Sequence, residues 1–162
     1  MRLSTLITST ASVAAVAGIG SRASRPSVES DWYARLRKPR FQPPRAVFPV
    51  AWSTLYSDIA VVSAATVDEL RGTGDSRGAR AYLIALGVNL ALNGSWSWLF
   101  FNRHRLGASA VVAAALTVSS ADLTRRTVAA RGVCGVPLAL YPLWCAFATV
   151  LSTDIWRLNR SR

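Results

Sequence analysis

The chain has 162 residues, enough for one ordinary domain, and 51% of them are apolar while only 17% are charged. Its formal net charge of +11 comes from short basic stretches that separate long uncharged runs. The apolar content excludes intrinsic disorder, and the scattered placement of the charges argues against a nucleic-acid binder, which needs a basic face on a folded domain.

Five long stretches with few or no charges approach the length of about 20 residues that a helix needs to cross the hydrocarbon core of a bilayer. The sequence therefore predicts an all-α membrane protein, a single domain over residues 1–162 with five transmembrane helices. These are expected at approximately residues 3–21, 46–67, 80–102, 106–124 and 132–155. Taken alone, the first stretch also fits a secretory signal peptide, because Arg2 precedes an Ala- and Val-rich run that ends in small residues.

The longest connection, residues 22–45, lies between the first and second predicted helices. It contains Pro26, Pro39, Pro43 and Pro44, and proline disfavours helix both at its own position and at the residue before it. We expect an irregular, Pro-rich lid loop that Trp32 and other aromatic residues partly order.

Basic residues in the connections predict the orientation. With five spans, the connections on the side of the lid loop carry twelve Lys and Arg, and those on the other side carry seven. The excess of positive charge places the lid loop and the C-terminus on the cytoplasmic side.

Three of the predicted helices carry an aromatic face at helical spacing. These faces consist of Trp52 and Tyr56 on the second helix, of Asn89, Asn93, Trp96 and Phe100 on the third, and of Tyr141, Trp144, Ala148 and Leu151 on the fifth. If they converge, they enclose an apolar cavity with few hydrogen-bonding groups, which suits a large, flat, hydrophobic ligand. The alternative is that the faces simply pack against one another.

Several polar or irregular positions inside the predicted spans need an explanation. Unpaired amides are costly in hydrocarbon, so Asn89 and Asn93 must bond to another helix or face a ligand. Pro142 should free the carbonyl of Leu138 and bend the fifth helix. Asp58 is the one acid well inside a span; it either pairs with an Arg or Asn of a neighbouring helix or serves a ligand or proton.

Motifs for other chemistry are absent from the sequence. His104 is the only histidine, and no cysteine or carboxylate stands at ligand spacing, so no metal site is predicted, although His104 leaves an axial haem ligand open. Small residues such as Ala110 and Ala114 on the fourth predicted helix permit close helix contacts, either within the bundle or in a homodimer.

Three blocks of residues resemble the TspO/MBR family of tryptophan-rich sensory proteins, which are related to the mitochondrial translocator protein. The first block contains Trp32-Tyr33, Leu36, Lys38-Pro39, Pro43-Pro44, Phe48-Pro49, Trp52 and Leu55-Tyr56; the second contains Asn89 to Asn93, Trp96-Ser97 and Phe100-Phe101; the third contains Tyr141, Trp144, Phe147-Ala148, Leu151, Ile155 and Leu158-Asn159. They follow the order and spacing of that family.

The resemblance implies a five-helix bundle, often dimeric, in which residues 1–20 form a helix instead of a cleaved signal. It implies binding of porphyrins and haem, or of other apolar small molecules, in a pocket under the lid loop. Ligand-binding positions are then Trp32, Trp52, Tyr56, Asn89, Asn93, Trp96, Phe100, Tyr141, Trp144, Phe147, Ala148 and Leu151. Haem or porphyrin is expected as a ligand, and no cofactor is required.

The sequence also departs from the family at particular positions. Asn89 stands where Gln is usual, Phe41 where a second Trp is common, and Ser152 where an Asn is usual. Pro142 follows the tyrosine that it usually precedes, and Asp58 replaces a small or apolar residue, which puts the local packing of the second helix in doubt.

Three functions follow from these observations. The first is a membrane receptor or sensor for tetrapyrroles, with Arg35, Arg37, Lys38 and Arg40 of the lid loop near the ligand's propionates. The second is a light-dependent porphyrin-degrading enzyme in which Trp52 and Trp144 are catalytic. The third is a transporter of small hydrophobic ligands or one coupled to protons through Asp58. We expect the bilayer of a bacterial cell and a second copy of the chain as partners, and no nucleic acid.

Overall fold

The computed structural model describes residues 2–160, without the side chains at positions 19, 21, 23 and 25–27. Within this part the chain is helical and contains no strand. Its helices are α1 (Leu3–Val28), α2 (Asp31–Arg35), α3 (Val47–Gly72), α4 (Ser76–Ser97), α5 (Leu106–Arg131) and α6 (Leu140–Asn159). A π-helical segment, Trp98–Asn102, extends α4, and a 3-10 segment, Gly132–Ala139, precedes α6. The ends of the predicted domain, residues 1 and 161–162, lie outside the described residues.

Three continuous helical stretches are long and apolar enough to cross a membrane: Val47–Gly72, Ser76–Asn102 and Leu106–Asn159. The last of these contains α5, the 3-10 segment and α6, and α1 contributes a shorter apolar stretch, Leu3–Gly18. The prediction of an all-α protein with several membrane-capable helices is therefore confirmed. The count of five crossings stays a prediction.

The first helix is longer than the sequence predicted. It continues to Val28, although residues 22–28 were expected to belong to the lid loop. Pro26 lies in the last turn of α1, and the helix ends two residues after it, because proline lacks the N–H of its own helical hydrogen bond and opposes further helix. The connection between α1 and α3 is thus residues 29–46, and it contains the short helix α2, which Ser30 caps by accepting a hydrogen bond from the backbone N–H of Tyr33.

The environment of Pro142 also differs from the expectation. Residues 132–139 are 3-10 and α6 begins at Leu140, so Pro142 lies in the first helical turn, where proline is well tolerated. The carbonyl of Leu138, to which residue 142 cannot donate, accepts a hydrogen bond from Thr124 Oγ1 at 3.2 Å. The break begins at Gly132, whose φ of 57° ends α5, ten residues before Pro142.

Short connections fix the order of the helices in the bundle. Residues 73–75 join α3 to α4, where Asp75 caps α4 by accepting from the N–H of Gly78 at 2.8 Å. Arg103, His104 and Arg105 join the π segment to α5. Connections this short make α3, α4 and α5 run antiparallel in succession, as the sequence predicted for the last pair.

Two groups of buried side chains hold the bundle together. The larger one extends through its middle and includes Ile59, Tyr82, Leu123, Leu138 and Tyr141. The smaller one lies beneath the connection 29–46 and contains Tyr33, Phe100, Leu151 and Ile155. Most of the predicted site residues belong to one of these two groups or pack against it.

Candidate functional site

A chain of hydrogen bonds crosses the interior of the bundle. The hydroxyl of Tyr56 donates to Oδ1 of Asn93 at 2.8 Å, and Nδ2 of Asn93 donates to the hydroxyl of Tyr141 at 3.3 Å. The Tyr141 hydroxyl donates in turn to Oδ1 of Asn89 at 2.8 Å, and Nδ2 of Asn89 donates to Ser119 Oγ at 3.2 Å. Four helices, α3, α4, α5 and α6, are therefore linked by one polar chain.

This polar chain answers the question that the two amides raised. Asn89 is 0% exposed and Asn93 is 2% exposed, and both amides bond to side chains of neighbouring helices. The three aromatic faces do converge. Tyr56, Asn93 and Tyr141 of the three faces bond directly to one another. At these residues the faces therefore pack together, which is the second of the two arrangements that the sequence left open.

Aromatic rings surround the polar chain on the side of the connection 29–46. Trp52 stacks on Tyr56 with ring centroids 5.3 Å apart. Trp144 lies 5.4 Å from Phe147 and meets the edge of Phe48 at 6.0 Å. We call these rings of α3 and α6 the aromatic wall: Phe48, Trp52, Tyr56, Trp144 and Phe147. The hydroxyl of Tyr56 connects it to Asn93 of the polar chain.

A second set of rings lies at the junction of α4 and its π segment. Trp96 stacks on Phe100 at 5.7 Å and meets Phe101 edge to face at 6.1 Å. The indole N–H of Trp96 donates to Ser152 Oγ on α6 at 3.3 Å. A π-helical turn widens the helix by one residue and is frequent at functional sites, and here it brings Phe100 beneath Trp32, at 6.1 Å.

The connection 29–46 is fastened over these rings at several points. Asn159 of α6 accepts from the backbone N–H of Arg37 at 3.1 Å and donates to its carbonyl at 2.9 Å. Trp32 stacks on His104 with centroids 3.7 Å apart, and Phe41 meets Phe147 at 6.3 Å. The connection therefore contacts the π segment, the turn after it and α6.

Lys38 is one of the residues that hold this connection. Its ammonium donates to the carbonyl of Tyr33 at 2.6 Å and lies 4.2 Å from the centroid of the Tyr33 ring. Partial burial and the nearby charge of Arg45 lower the pKa of Lys38 from its ordinary value. The sequence placed Lys38 near the propionates of a ligand. In the structure its ammonium instead bonds to Tyr33, within the same connection.

Asp58 lies apart from the polar chain. Its side chain is partly exposed, but Oδ2 is buried and has no hydrogen-bond partner among the described residues. Among the described residues, no hydrogen bond or ion pair joins Asp58 to an Arg or Asn of a neighbouring helix, and both Asn89 and Asn93 bond to other side chains.

The structure divides the predicted ligand-binding residues into two groups. One contains those that build or flank the polar chain: Trp52, Tyr56, Asn89, Asn93, Tyr141 and Trp144. The other belongs to the core beneath the connection or contacts it: Trp32, Trp96, Phe100, Phe147 and Leu151. Ala148 is half-buried on α6, next to Phe147 in the sequence, and belongs to neither group.

Sequence reasoning missed four partners of these residues. Ser119 and Ser152 accept hydrogen bonds from Asn89 and Trp96, Phe48 contacts Trp144, and His104 stacks on Trp32. Serines are too common in helices to stand out, and the stacking on His104 joins two connections that are remote in sequence. Phe48 could have been found from the sequence, since it belongs to the first block of the family resemblance.

Comparison with known proteins gives a consistent result. The model of the TspO/MBR family matches residues 9–157. The protein CrtK of Rhodobacter capsulatus is 34% identical over 128 residues, which cover 79% of this chain and 78% of that protein. The tryptophan-rich sensory protein of Cereibacter sphaeroides is 31% identical over 82% of this chain and 79% of its own length. The human translocator protein is 36% identical over 79% of this chain and 75% of its own length.

Proposed function

Because this chain belongs to the TspO/MBR family, we propose that it is an integral membrane receptor or sensor that binds a tetrapyrrole, either porphyrin or haem. The ligand lies among the aromatic side chains of α3, α4 and α6, beneath the connection 29–46, which acts as a lid. The five long helices cross a bacterial cell membrane, with the lid and the C-terminus on the cytoplasmic side, and the chain acts as a homodimer.

The observation that carries the proposal is the aromatic wall next to a polar chain whose groups bond to one another. Trp52, Trp144 and Phe147 offer ring faces to a flat apolar macrocycle, which stacks on such surfaces. The polar groups below them satisfy one another, so the floor of the site needs no hydrogen bonds from the ligand. This is the pattern expected for a hydrophobic ring system with polar groups only at its edge.

Entry requires movement of the lid, because its side chains cover the rings in the present arrangement. Phe41 contacts Phe147, and Phe48 at the start of α3 contacts Trp144. Displacement of residues 29–46 removes Phe41 from Phe147, whereas Phe48 belongs to α3 and stays beside Trp144. Exposed basic residues of the lid, such as Arg37 and Arg40, then stand near the rim, where propionates can reach them.

The test is a titration of protoporphyrin and haem into protein in nanodiscs, in the dark, followed by tryptophan fluorescence and the Soret band. The double variant Trp52→Ala/Trp144→Ala should lose most of the saturable quenching. Trp156→Phe, which replaces an indole that is 38% exposed at the outer end of α6, is the matched control and should titrate as the parent does.

Two outcomes would change the proposal. Unchanged porphyrin binding in the double variant would remove the aromatic wall as the site. Light- and oxygen-dependent loss of the Soret band to a defined product, abolished in the same variant, would assign porphyrin degradation in place of sensing.

A further inference from the structure

Two cations of the connection 29–46 lie on the same aromatic ring. The ammonium of Lys38 is 4.2 Å from the centroid of the Tyr33 ring, and Cζ of Arg45 is 5.6 Å from it. The two charges are therefore no more than about 10 Å apart, the sum of these two distances. Like charges this close repel each other, and Arg45 adds to the effect of partial burial in lowering the pKa of Lys38. An anion that met both cations would relieve this repulsion.

Neither cation has an acidic partner in the described part of the chain, where the ion pairs belong to α5 and α6. The acids of the connection itself, Glu29 and Asp31, pair with neither Lys38 nor Arg45. Lys38 uses one of its three N–H donors on the carbonyl of Tyr33. Arg45 is exposed, and its guanidinium carries five donors in a planar fork. Donors of both side chains are thus left for an anion that comes from outside the chain.

The position of Arg45 in the chain indicates which anion it meets. Arg45 lies two residues before Val47, where α3 and its membrane-capable stretch begin. Basic side chains next to the end of a membrane helix lie at the level of the lipid headgroups and attract anionic lipids. Val47 and Val50 in the first turn of α3 are exposed, so acyl chains can lie directly beside the helix below Arg45. A lipid phosphate is therefore the anion that this surroundings favours over one free in water.

We propose that Lys38 and Arg45, on the Tyr33 ring that both contact, bind the phosphate of an anionic phospholipid such as phosphatidylglycerol. The ammonium and the guanidinium donate to phosphate oxygens, and the acyl chains lie along the exposed start of α3. The bound headgroup joins the two ends of the segment 38–45 and so restrains that part of the connection. The site does not depend on the proposed tetrapyrrole, and its test needs no porphyrin.

The experiment measures which lipids stay bound to the full chain when it is released from nanodiscs. The nanodiscs contain equal amounts of phosphatidylglycerol, which is anionic, and phosphatidylcholine, whose own choline group balances its phosphate, both with the same acyl chains. Native mass spectrometry counts the retained lipids of each kind. We expect about tenfold more retained phosphatidylglycerol than phosphatidylcholine, because each Lys or Arg beside an anionic headgroup adds to the preference.

The double variant Lys38→Gln/Arg45→Gln should abolish the preference. The matched control is Arg103→Gln/Arg105→Gln, which removes the same charge from two exposed positions in the turn that the connection contacts. This control should retain the preference. Arg45→Gln alone leaves the bond from Lys38 to Tyr33 in place and should lose most of the preference, which provides an independent test if the double variant folds poorly.

Equal retention of the two lipids by the parent protein would overturn the proposal, as would a preference that survives the loss of Arg45. An equal loss in the Arg103→Gln/Arg105→Gln control would also overturn it, because the preference would then come from surface charge in general. Inorganic phosphate should displace phosphatidylglycerol no better than chloride does at equal ionic strength; selective displacement would assign the site to free phosphate instead of lipid. Backbone amides of residues 38–45 should exchange hydrogen severalfold more slowly in phosphatidylglycerol than in phosphatidylcholine nanodiscs, and equal rates would contradict the restraint.

Discussion

Replacing Tyr141 by Phe removes one hydroxyl from the centre of the interhelical polar chain. Tyr141 is 0% exposed, and its hydroxyl both donates to Asn89 and accepts from Asn93. The substitution keeps the ring and creates only a small void, so its effect on stability reports the two hydrogen bonds. Oδ1 of Asn89 and one N–H of Asn93 lose their partners.

The expected cost follows from these two bonds. Interhelical hydrogen bonds in membrane proteins average about 0.6 kcal/mol each and reach about 1.7 kcal/mol. Two bonds with buried partners that cannot reach water should therefore cost about 1–3 kcal/mol of the free energy of unfolding. Asn89 keeps its hydrogen bond to Ser119, and Asn93 keeps its hydrogen bond from Tyr56. These remaining bonds limit the loss of stability.

The assay is reversible unfolding in mixed micelles of dodecyl maltoside and SDS, followed by circular dichroism. Tyr82→Phe is the matched control, because Tyr82 is 1% exposed and bonds to Ser63 and Thr127. The hydroxyl of Thr127 keeps its bond to the carbonyl of Leu123 at 2.9 Å, so Ser63 Oγ is the group that loses its partner, and this variant should lose about 1 kcal/mol, less than Tyr141→Phe. A loss in Tyr141→Phe no larger than in Tyr82→Phe would refute the reasoning.

Three further predictions concern packing and the lid. Gly135→Ala should destabilise the protein by about 1–3 kcal/mol in the same assay, because a Cβ there would lie 2.9 Å from the backbone of α5, whereas Gly87→Ala meets nothing within 4 Å and should cost nothing. Asn159→Ala removes both bonds that tie Arg37 to α6 and should speed tryptic cleavage of the lid about tenfold; an unchanged rate would mean that the lid is held elsewhere. Trp32→Ala loses the stack on His104 and should raise the rate of porphyrin release severalfold in stopped-flow experiments, with unaltered release counting against a lid role.

Local chemistry was enough to predict much of the helical pattern. Uncharged runs separated by basic clusters indicate membrane helices, because charged groups are excluded from hydrocarbon regardless of the neighbouring helices. Trp52 with Tyr56, and Asn89 with Asn93, could be placed on shared faces from spacing alone. The stacking of Trp52 on Tyr56 agrees with that placement.

Other features depend on contacts between segments that are distant in sequence. The proline in the last turn of α1 is compatible with either a helix or a loop, and residues 132–139 are apolar enough for an α-helix although they are 3-10. Their conformation is tied to the reversal at Gly132 and to the close approach of Gly135 to α5. No periodicity in a single segment contains that information.

The sequence by itself determined that the chain is a helical membrane protein and which side chains face a common side of each helix, because solvent exclusion and helical geometry act locally. Only the tertiary structure decided how those faces are used. It showed that Asn89 and Asn93 bond to Tyr141, that the connection 29–46 is tied to Asn159 and His104, and that Asp58 has a buried oxygen without a partner among the described residues. Hydrogen bonds and ring contacts need partners at distances of a few ångströms, and only the packing of the helices brings those partners together.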